Sequence, residues 1–319
     1  MSLFEWISEK LNSIYSKKED SQGCSDIEEE SGFEICDKNY NKWIRDKFVK
    51  EHDHISVKND SIKNHFWNID RTSSKEPSWT FALPSAGGQL YVAYSMDMND
   101  KEITMEYPMK NEGRKEIKFT MLLQAGGKML FRAESSSNRY LVRNQDGLLE
   151  MQITDNPTDE MEWMIHYVKP SMGIPSPPSS YTAQIEHGSE SKKWKSSGPI
   201  DFHHVQQIQT SATENWTVIP SAGHILQFLS GPFFHISQNL LFGSSNNIAN
   251  FHSTKSGSGV LLQCNNEYVH GPEDHGDLEM KTNKSEATTW ELVISNPGFI
   301  VGGKTILLSE IPIEESDME

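Results

Sequence analysis

The chain has 319 residues and a mass of 36.3 kDa, a length that predicts about two domains. Its 45 acidic against 29 basic side chains give a formal charge of −16, which argues against a nucleic-acid binder, because displacing counterions from phosphates needs a concentrated Lys/Arg surface. With 35% hydrophobic residues it can bury real cores, though not along its whole length, so tails or linkers are expected.

No apolar run is long enough to span a bilayer, and Met1-Ser2-Leu3-Phe4-Glu5-Trp6 lacks the charged and apolar regions of a secretory leader. Cys24, Cys36 and Cys264 are few, odd in number and unmatched in spacing, which predicts a reducing, cytoplasmic address without a disulfide framework. The Asn-x-Ser/Thr triplets at Asn59, Asn215 and Asn283 are read as chance.

Residues 2–16 begin the chain with helical spacing. Ser2 and Glu5 fit a capping box, and Phe4, Ile7, Leu11 and Ile14 mark one face. This amphipathic helix is expected to pack on its own domain, on a partner groove or peripherally on a membrane surface. From Glu19 to Asp37 there are eight acids and no base, so residues 1–38 read as a helix plus a solvated acidic tether. Further on, Tyr40, Trp43, Ile44 and Phe48 are compatible with a short helix.

The body of the chain is governed by repetition. Ser78-Trp79-Thr80-Phe81-Ala82-Leu83-Pro84-Ser85-Ala86-Gly87 matches Asn215-Trp216-Thr217-Val218-Ile219-Pro220-Ser221-Ala222-Gly223. The match returns later, with Tyr140-Leu141, Leu149-Glu150-Met151 and Trp163 against Tyr268-Val269, Leu278-Glu279-Met280 and Trp290. An aromatic followed by alternating apolar positions recurs at Trp79, Phe119, Trp163, Trp216, Phe251 and Trp290, with intervals of 40, 44, 53, 35 and 39 residues. The long interval holds Pro170, Pro175, Pro177 and Pro178, a natural boundary. Three units, a linker and three more units is the count of two β-trefoils, in which the third unit covers the edges and apolar face left by the first two. Segments such as Met129-Leu130-Phe131-Arg132-Ala133 and Val260-Leu261-Leu262-Gln263-Cys264 read as strands, and Asn144-Gln145-Asp146-Gly147 and Asn111-Glu112-Gly113 as turns. The expected fold is therefore all-β: two tandem β-trefoil domains with an N-terminal amphipathic helix and acidic flexible tails. The domains are placed at 39–168 and 181–298, the Pro/Ser-rich linker at 169–180 and the acidic C-terminal tail at 299–319. The first unit, near Ile55 to Leu83, and the fourth, Tyr181 to Ile219, are the least regular.

The third unit of each copy resembles the fascin-like β-trefoils. The pieces are Leu130-Phe131-Arg132-Ala133, Asn138-Arg139-Tyr140-Leu141, Asp146-Gly147-Leu148-Leu149 and Glu162-Trp163-Met164-Ile165. The second set is Leu261-Leu262-Gln263-Cys264, Asn266-Glu267-Tyr268-Val269, Gly276-Asp277-Leu278 and Thr289-Trp290-Glu291-Leu292. The resemblance implies a non-catalytic scaffold, in a family that includes actin cross-linkers with four such domains. This chain has room for two and lacks dense basic patches, so filament bundling is not expected of it. The Gln-x-Trp signature of ricin-type lectins is absent.

No catalytic, cofactor or metal residue is assigned. His52 and His54 would face one side of a strand and could chelate, His203 and His204 would face opposite sides, and His270, Glu273, Asp274 and His275 sit in a turn-like segment. Ser258 lacks a nucleophile-elbow context, and Gly87-Gly88 and Gly302-Gly303 lack the Lys-Ser/Thr of a phosphate loop. Cys264 reads as a small core residue, and Asp159-Glu160 as surface loop. Ser85 and Ser221 are read as turn residues, with pocket rims as the alternative. Ser25 and Ser316 beside acids are possible phosphate acceptors only on compositional grounds. The function expected is that of a non-enzymatic binding or scaffold protein for a protein partner, cytoskeletal proteins included. The rival readings are a glycan binder using exposed aromatics such as Tyr94 or Trp194, and a His-dependent metal hydrolase.

Overall fold

Short alternating segments pair first with their chain neighbours, and this local antiparallel preference generates the architecture. The computed structural model describes residues 31–61, 63–72, 77–108, 115–169, 175–187, 192–196, 205–209, 215–221, 225–229, 233–237, 240–244, 250–272 and 276–311. The strands of the first half are β1 (Gly32–Asp37), β2 (Lys42–Trp43), β3 (Val57–Lys58), β4 (Asn68–Arg71), β5 (Trp79–Ser85), β6 (Gly88–Ser95), β7 (Ile103–Glu106), β8 (Lys115–Glu116), β9 (Phe119–Leu123), β10 (Met129–Ala133), β11 (Arg139–Arg143), β12 (Leu149–Ile153) and β13 (Glu162–Val168). Those of the second half are β14 (Ser180–His187), β15 (Lys192–Ser196), β16 (Val205–Gln209), β17 (Trp216–Ser221), β18 (Ile225–Leu229), β19 (Phe233–Ser237), β20 (Leu240–Ser244), β21 (Phe251–Ser256), β22 (Gly259–Cys264), β23 (Glu267–His270), β24 (Gly276–Asp277), β25 (Glu279–Lys281), β26 (Glu291–Val301) and β27 (Lys304–Leu307). Helical structure among the described residues is confined to single 3-10 turns, and none of their helices is long and apolar enough to cross a membrane.

In the first half the pairings form a circuit. β1 meets β4 through Phe33 and Trp67, β4 pairs with β5, and β5 meets β9 at Trp79 and Phe119. β9 pairs with β10, β10 with β13, and β13 returns to β1 over Gly32↔Val168 to Asp37↔Trp163. Three hairpins, β2–β3, β6–β7 and β11–β12, hang from this ring. They touch one another through Ser56↔Leu148, Glu102↔Glu150 and the Met105 N–H to Asp53 O bond of 2.9 Å. The second half repeats the circuit as β14–β17–β18–β21–β22–β26–β14, with Val260↔Trp290 joining β22 to the start of β26. Its hairpins are β15–β16, β19–β20 and β23–β25, linked by β16–β24 and β20–β25 pairs. Turn chemistry serves this plan at Gly147, whose φ of 77° is left-handed and whose carbonyl accepts the Val57 N–H at 2.6 Å from the neighbouring hairpin.

Aromatic side chains fill both rings in the same arrangement. Trp43 on β2 lies edge-on to Trp67 at 5.5 Å and to Trp163 at 5.4 Å. Trp194 on β15 lies edge-on to Trp216 at 6.3 Å and to Trp290 at 5.3 Å. Edge-to-face contact sets the quadrupoles favourably, beyond the free energy of removing the rings from water. The core is continuous through both halves, from Phe33 to Leu308.

Several expectations need correction. Counted from β1 and from β14, the aromatic that opens the second ring strand is Trp67 in the first half and Trp216 in the second. Trp79 opens the third strand instead, so the matched Trp-Thr segments at 79 and 216 occupy different ring positions. Residues 32–37, expected in the acidic tether before a domain starting at 39, form a ring strand. Phe33, Ile35 and Cys36 are buried, while Glu34 is matched by Lys42 at 2.8 Å and Asp37 accepts the Asn39 and Asn41 N–H groups. The proposed short helix at Tyr40–Phe48 is absent, for Tyr40 is left-handed at φ 60° and Trp43 is a strand residue. At the other end β26 runs past 298 with Phe299 buried, and β27 and Leu308 follow, so residues 299–308 belong to the body and not to a tail. In the Pro-rich connection, Ser176 pairs with Tyr167 and Pro178 is buried. The helix at 2–16, Ser25, Ser316 and the turn at Asn111–Gly113 lie outside the described residues.

Candidate functional site

The first polar cluster forms where the loop between β2 and β3 meets β7. His52 takes a left-handed φ of 70° and its N–H reaches Met105 O at 2.8 Å, which brings its ring to the end of β7. There the Glu106 Oε1 accepts Thr104 Oγ1 at 2.6 Å and Lys115 Nζ at 2.9 Å, and lies 3.0 Å from His52 Nδ1. Burial pushes the Glu106 carboxyl up, but the Thr104, Lys115 and His52 hydrogen bonds outweigh it and hold the group below 4.5. The same bond to Glu106 raises the His52 imidazole above 6.5. Glu51, His52 and Glu106 have ligand atoms within 4.8 Å of one another, a spacing a cation could use. Two facts oppose that use: an ammonium already sits on Glu106, and a raised imidazole pKa makes protons stronger competitors. The sequence left His52 and His54 unassigned, noting only that on a strand they would share a face and could chelate. Neither is in a strand, and His54 Nε2 turns to Glu102 at 3.4 Å.

A second cluster lies between the two rings. Trp79 donates its Nε1–H to Ile294 O at 3.0 Å, and Leu122 pairs with Val293. Arg132 contacts Glu291 at 2.7 Å with side-chain exposures of 14% and 4%, and Ser258 Oγ donates to the same carboxylate. Burial raises the Glu186 carboxyl, its cross-strand neighbour Glu291 adds to the rise, and Lys193 opposes it. Lys255 reaches across to Glu162 at 2.8 Å and Asp159 at 3.3 Å. Phe299 packs against Phe33 at 5.4 Å and Tyr167 at 6.2 Å. These contacts fix one ring against the other, with the Arg132–Glu291 pair desolvated and the Lys255–Asp159 pair at the wet edge. Ser258, considered for a nucleophile and dismissed, has its hydroxyl engaged by a carboxylate.

The third cluster pairs Cys36 Sγ with His166 Nδ1 at 3.5 Å. Burial, then Asp37 and Glu34, push the Cys36 thiol up to about 12, and burial lowers His166. Cys264 is likewise raised, first by burial and then by Glu267. Buried thiols held protonated are poor nucleophiles.

Of the remaining sequence candidates, Tyr94 and Trp194, named as exposed aromatics, are buried at 0% and 1%. The Tyr94 hydroxyl donates to Lys118 O at 2.9 Å. Ser85 closes its turn through Gly88 O at 2.6 Å and meets Tyr107 OH at 3.0 Å. Gly302 and Gly303 make the β26–β27 turn at φ 58° and 78°. His270 Nδ1 engages Glu286 O at 2.6 Å. Asp159 and Glu160 are exposed and also bridge, the latter to Lys38 at 2.7 Å. His203, His204, Glu273, Asp274, His275 and the Ser221 side chain lie outside the described residues. Reasoning from sequence missed Arg132, Glu162 and Glu291. The available signal was a charge set in an apolar strand (Leu130-Phe131-Arg132-Ala133) or directly beside a closing tryptophan.

No protein-family model matches the chain, and no curated protein does. Among solved structures, one similar chain is described as "Structure and mode of action of a mosquitocidal holotoxin", at a TM-score of 0.34 and 13% identity. The match covers 84% of this chain and 34% of that one.

Proposed function

We propose that the chain is a non-catalytic binding and scaffold protein of the cytoplasm, built on two tandem fascin-like β-trefoils, that engages a protein partner. The observation that carries the reading is the strand circuit, which twice returns to its start through six strands and three linked hairpins. That order is what a trefoil requires, and the paired tryptophan arrangements of Trp43 and Trp194 support a duplication. Fold alone does not name a function, so the chemistry has to agree. Three features support the reading: the thiols are raised by burial, Ser258 is bonded to Glu291, and Glu106 is already matched by Lys115. Rings locked to each other offer a stiff body whose loops serve as contact surfaces.

The test uses the full chain as bait under reducing conditions, then rebuilds any complex from purified components. A stoichiometric complex with a purified protein supports the reading. Failure to rebuild one, together with a stoichiometric transition metal on elemental analysis or selective glycan binding on an array, overturns it.

A further inference from the structure

Six large apolar side chains stand out among the described residues: Tyr40, Phe48, Met96, Met98, Ile153 and Ile300. Three of them come together at one rim of the first ring. Ile153 on β12 is the register partner of Arg139 on β11, so both side chains project from one face. Arg139 is 1% exposed and donates to Ser95 O and Asp100 O, the two ends of the loop that carries Met96 and Met98. The Met151 N–H to Lys101 O bond of 2.8 Å and the Glu102↔Glu150 bridge tie the same two segments together. Arg139 therefore straps the methionine loop beside Ile153.

The loop backbone is stiff. Ser95 Oγ accepts the Asp97 N–H at 3.1 Å, Asp97 Oδ1 accepts the Asn99 N–H at 2.9 Å, and Asp100 Oδ1 accepts the Glu102 N–H at 2.9 Å. Met96 and Met98 remain 44% and 41% exposed on this fixed frame. Thioether side chains adapt to varied apolar partners, while the frame lowers the entropy lost on binding. Around them stand the carboxylates of Asp97, Asp100, Glu102 and Asp155, against the Lys101 ammonium and the buried Arg139 guanidinium, which faces Asp97 and Asp100, so the acids still outnumber the cations. Among the described residues, Asp97, Asp100 and Asp155 form no ion pair within 4.0 Å; Asp155 accepts only the Asn138 side chain, at 3.0 Å.

We infer that this rim, centred on Met96, Met98 and Ile153 and edged by Asp97, Asp100 and Asp155, docks a basic amphipathic segment of a partner protein. The inference rests on the protein-binding reading above and names its surface. Charge selects the occupant: an acidic edge repels anionic lipid and nucleic acid, and attracts lysines or arginines flanking an apolar stripe.

The probe is a synthetic Leu/Lys amphipathic peptide of about 18 residues, five helical turns, titrated into the full chain by fluorescence anisotropy. A Leu/Glu peptide, a Leu/Lys peptide scrambled to erase its apolar face, and anionic vesicles run beside it. The expected result is binding of the Leu/Lys peptide alone, with exchange protection over residues 95–102 and 149–155. The variant Met96→Ser/Met98→Ser/Ile153→Ser should weaken it by about tenfold or more, a change of about 1.4 kcal/mol. The single Met98→Lys, at an exposed position, should weaken it as well. Equal binding by the triple variant or by the scrambled peptide, or vesicle binding through this rim, overturns the inference. If the triple variant still forms the complex rebuilt from purified components, this surface fails while the binding-protein reading stands. If no such complex can be rebuilt and the purified chain carries a stoichiometric transition metal or binds glycans selectively, the reading fails with it.

Discussion

Replacing Arg132 by Met tests the junction between the rings directly. Glu291, with its side chain 4% exposed, would lose its 2.7 Å guanidinium partner and keep the Ser258 hydroxyl as its remaining side-chain donor. A buried carboxylate stripped of its cation typically costs about 3–5 kcal/mol, because its desolvation is no longer offset. Removing both charges is different: Arg132→Met/Glu291→Leu replaces the pair with apolar groups in a junction already lined by Leu122, Leu130 and Val293. Such swaps are often neutral or stabilising, so the double variant should recover most of the loss. Urea unfolding followed by tryptophan fluorescence measures both, with eight tryptophans reporting. A loss below about 1 kcal/mol for Arg132→Met, or a double variant no better than the single, would refute a desolvated charge pair at this site.

Trp43→Ala and Trp194→Ala, at 0% and 1% exposure, should each cost about 3–5 kcal/mol in chemical denaturation; Phe48→Ala at 76% exposure should stay within about 0.5 kcal/mol. Glu186 has its pKa raised chiefly by burial, so stability from this group is lost as pH rises from 4.5 through the raised value. Glu186→Gln should therefore raise the melting temperature at pH 7, and the gain should shrink toward pH 4.5. A melting temperature unmoved at both pH values contradicts it. His52, raised by Glu106, should titrate above 6.5 by NMR, with its contribution present below 6.5 and lost as pH climbs through the raised value. Glu106→Gln should return it toward 6.5. With its thiol near 12, Cys36 should resist iodoacetamide at pH 8 in the native protein and react once urea unfolds it; rapid native labelling would contradict its burial.

Much of the β architecture is legible locally. Alternation marks β10 and β22, Gly147 marks its turn, and Phe119, Trp163, Trp216, Phe251 and Trp290 announce strands whose aromatic ends are buried. These signals depend on side-chain period and backbone sterics, which neighbouring residues set. Trp67 escaped notice because its strand is short and polar, Asn68–Arg71, while Trp79 twelve residues on sits in a longer apolar one. The strand Gly32–Asp37 escaped because its two acids read as continuations of an acidic run.

Charge partners are a different matter. Whether Glu34 repels its neighbours or stabilises a strand depends on Lys42 across the ladder, and whether Arg132 is surface or interior depends on Glu291, far along the chain. The rim around Met96 depends likewise on Arg139 reaching a loop from another hairpin. Periodicity and turn preference act over a few residues, so the amino-acid order alone determined the strand-rich character and most of the buried aromatics. Desolvation and ion pairing act through space, so only the folded chain decided which charges are interior, which tryptophans share a ring position and which apolar groups are left facing water.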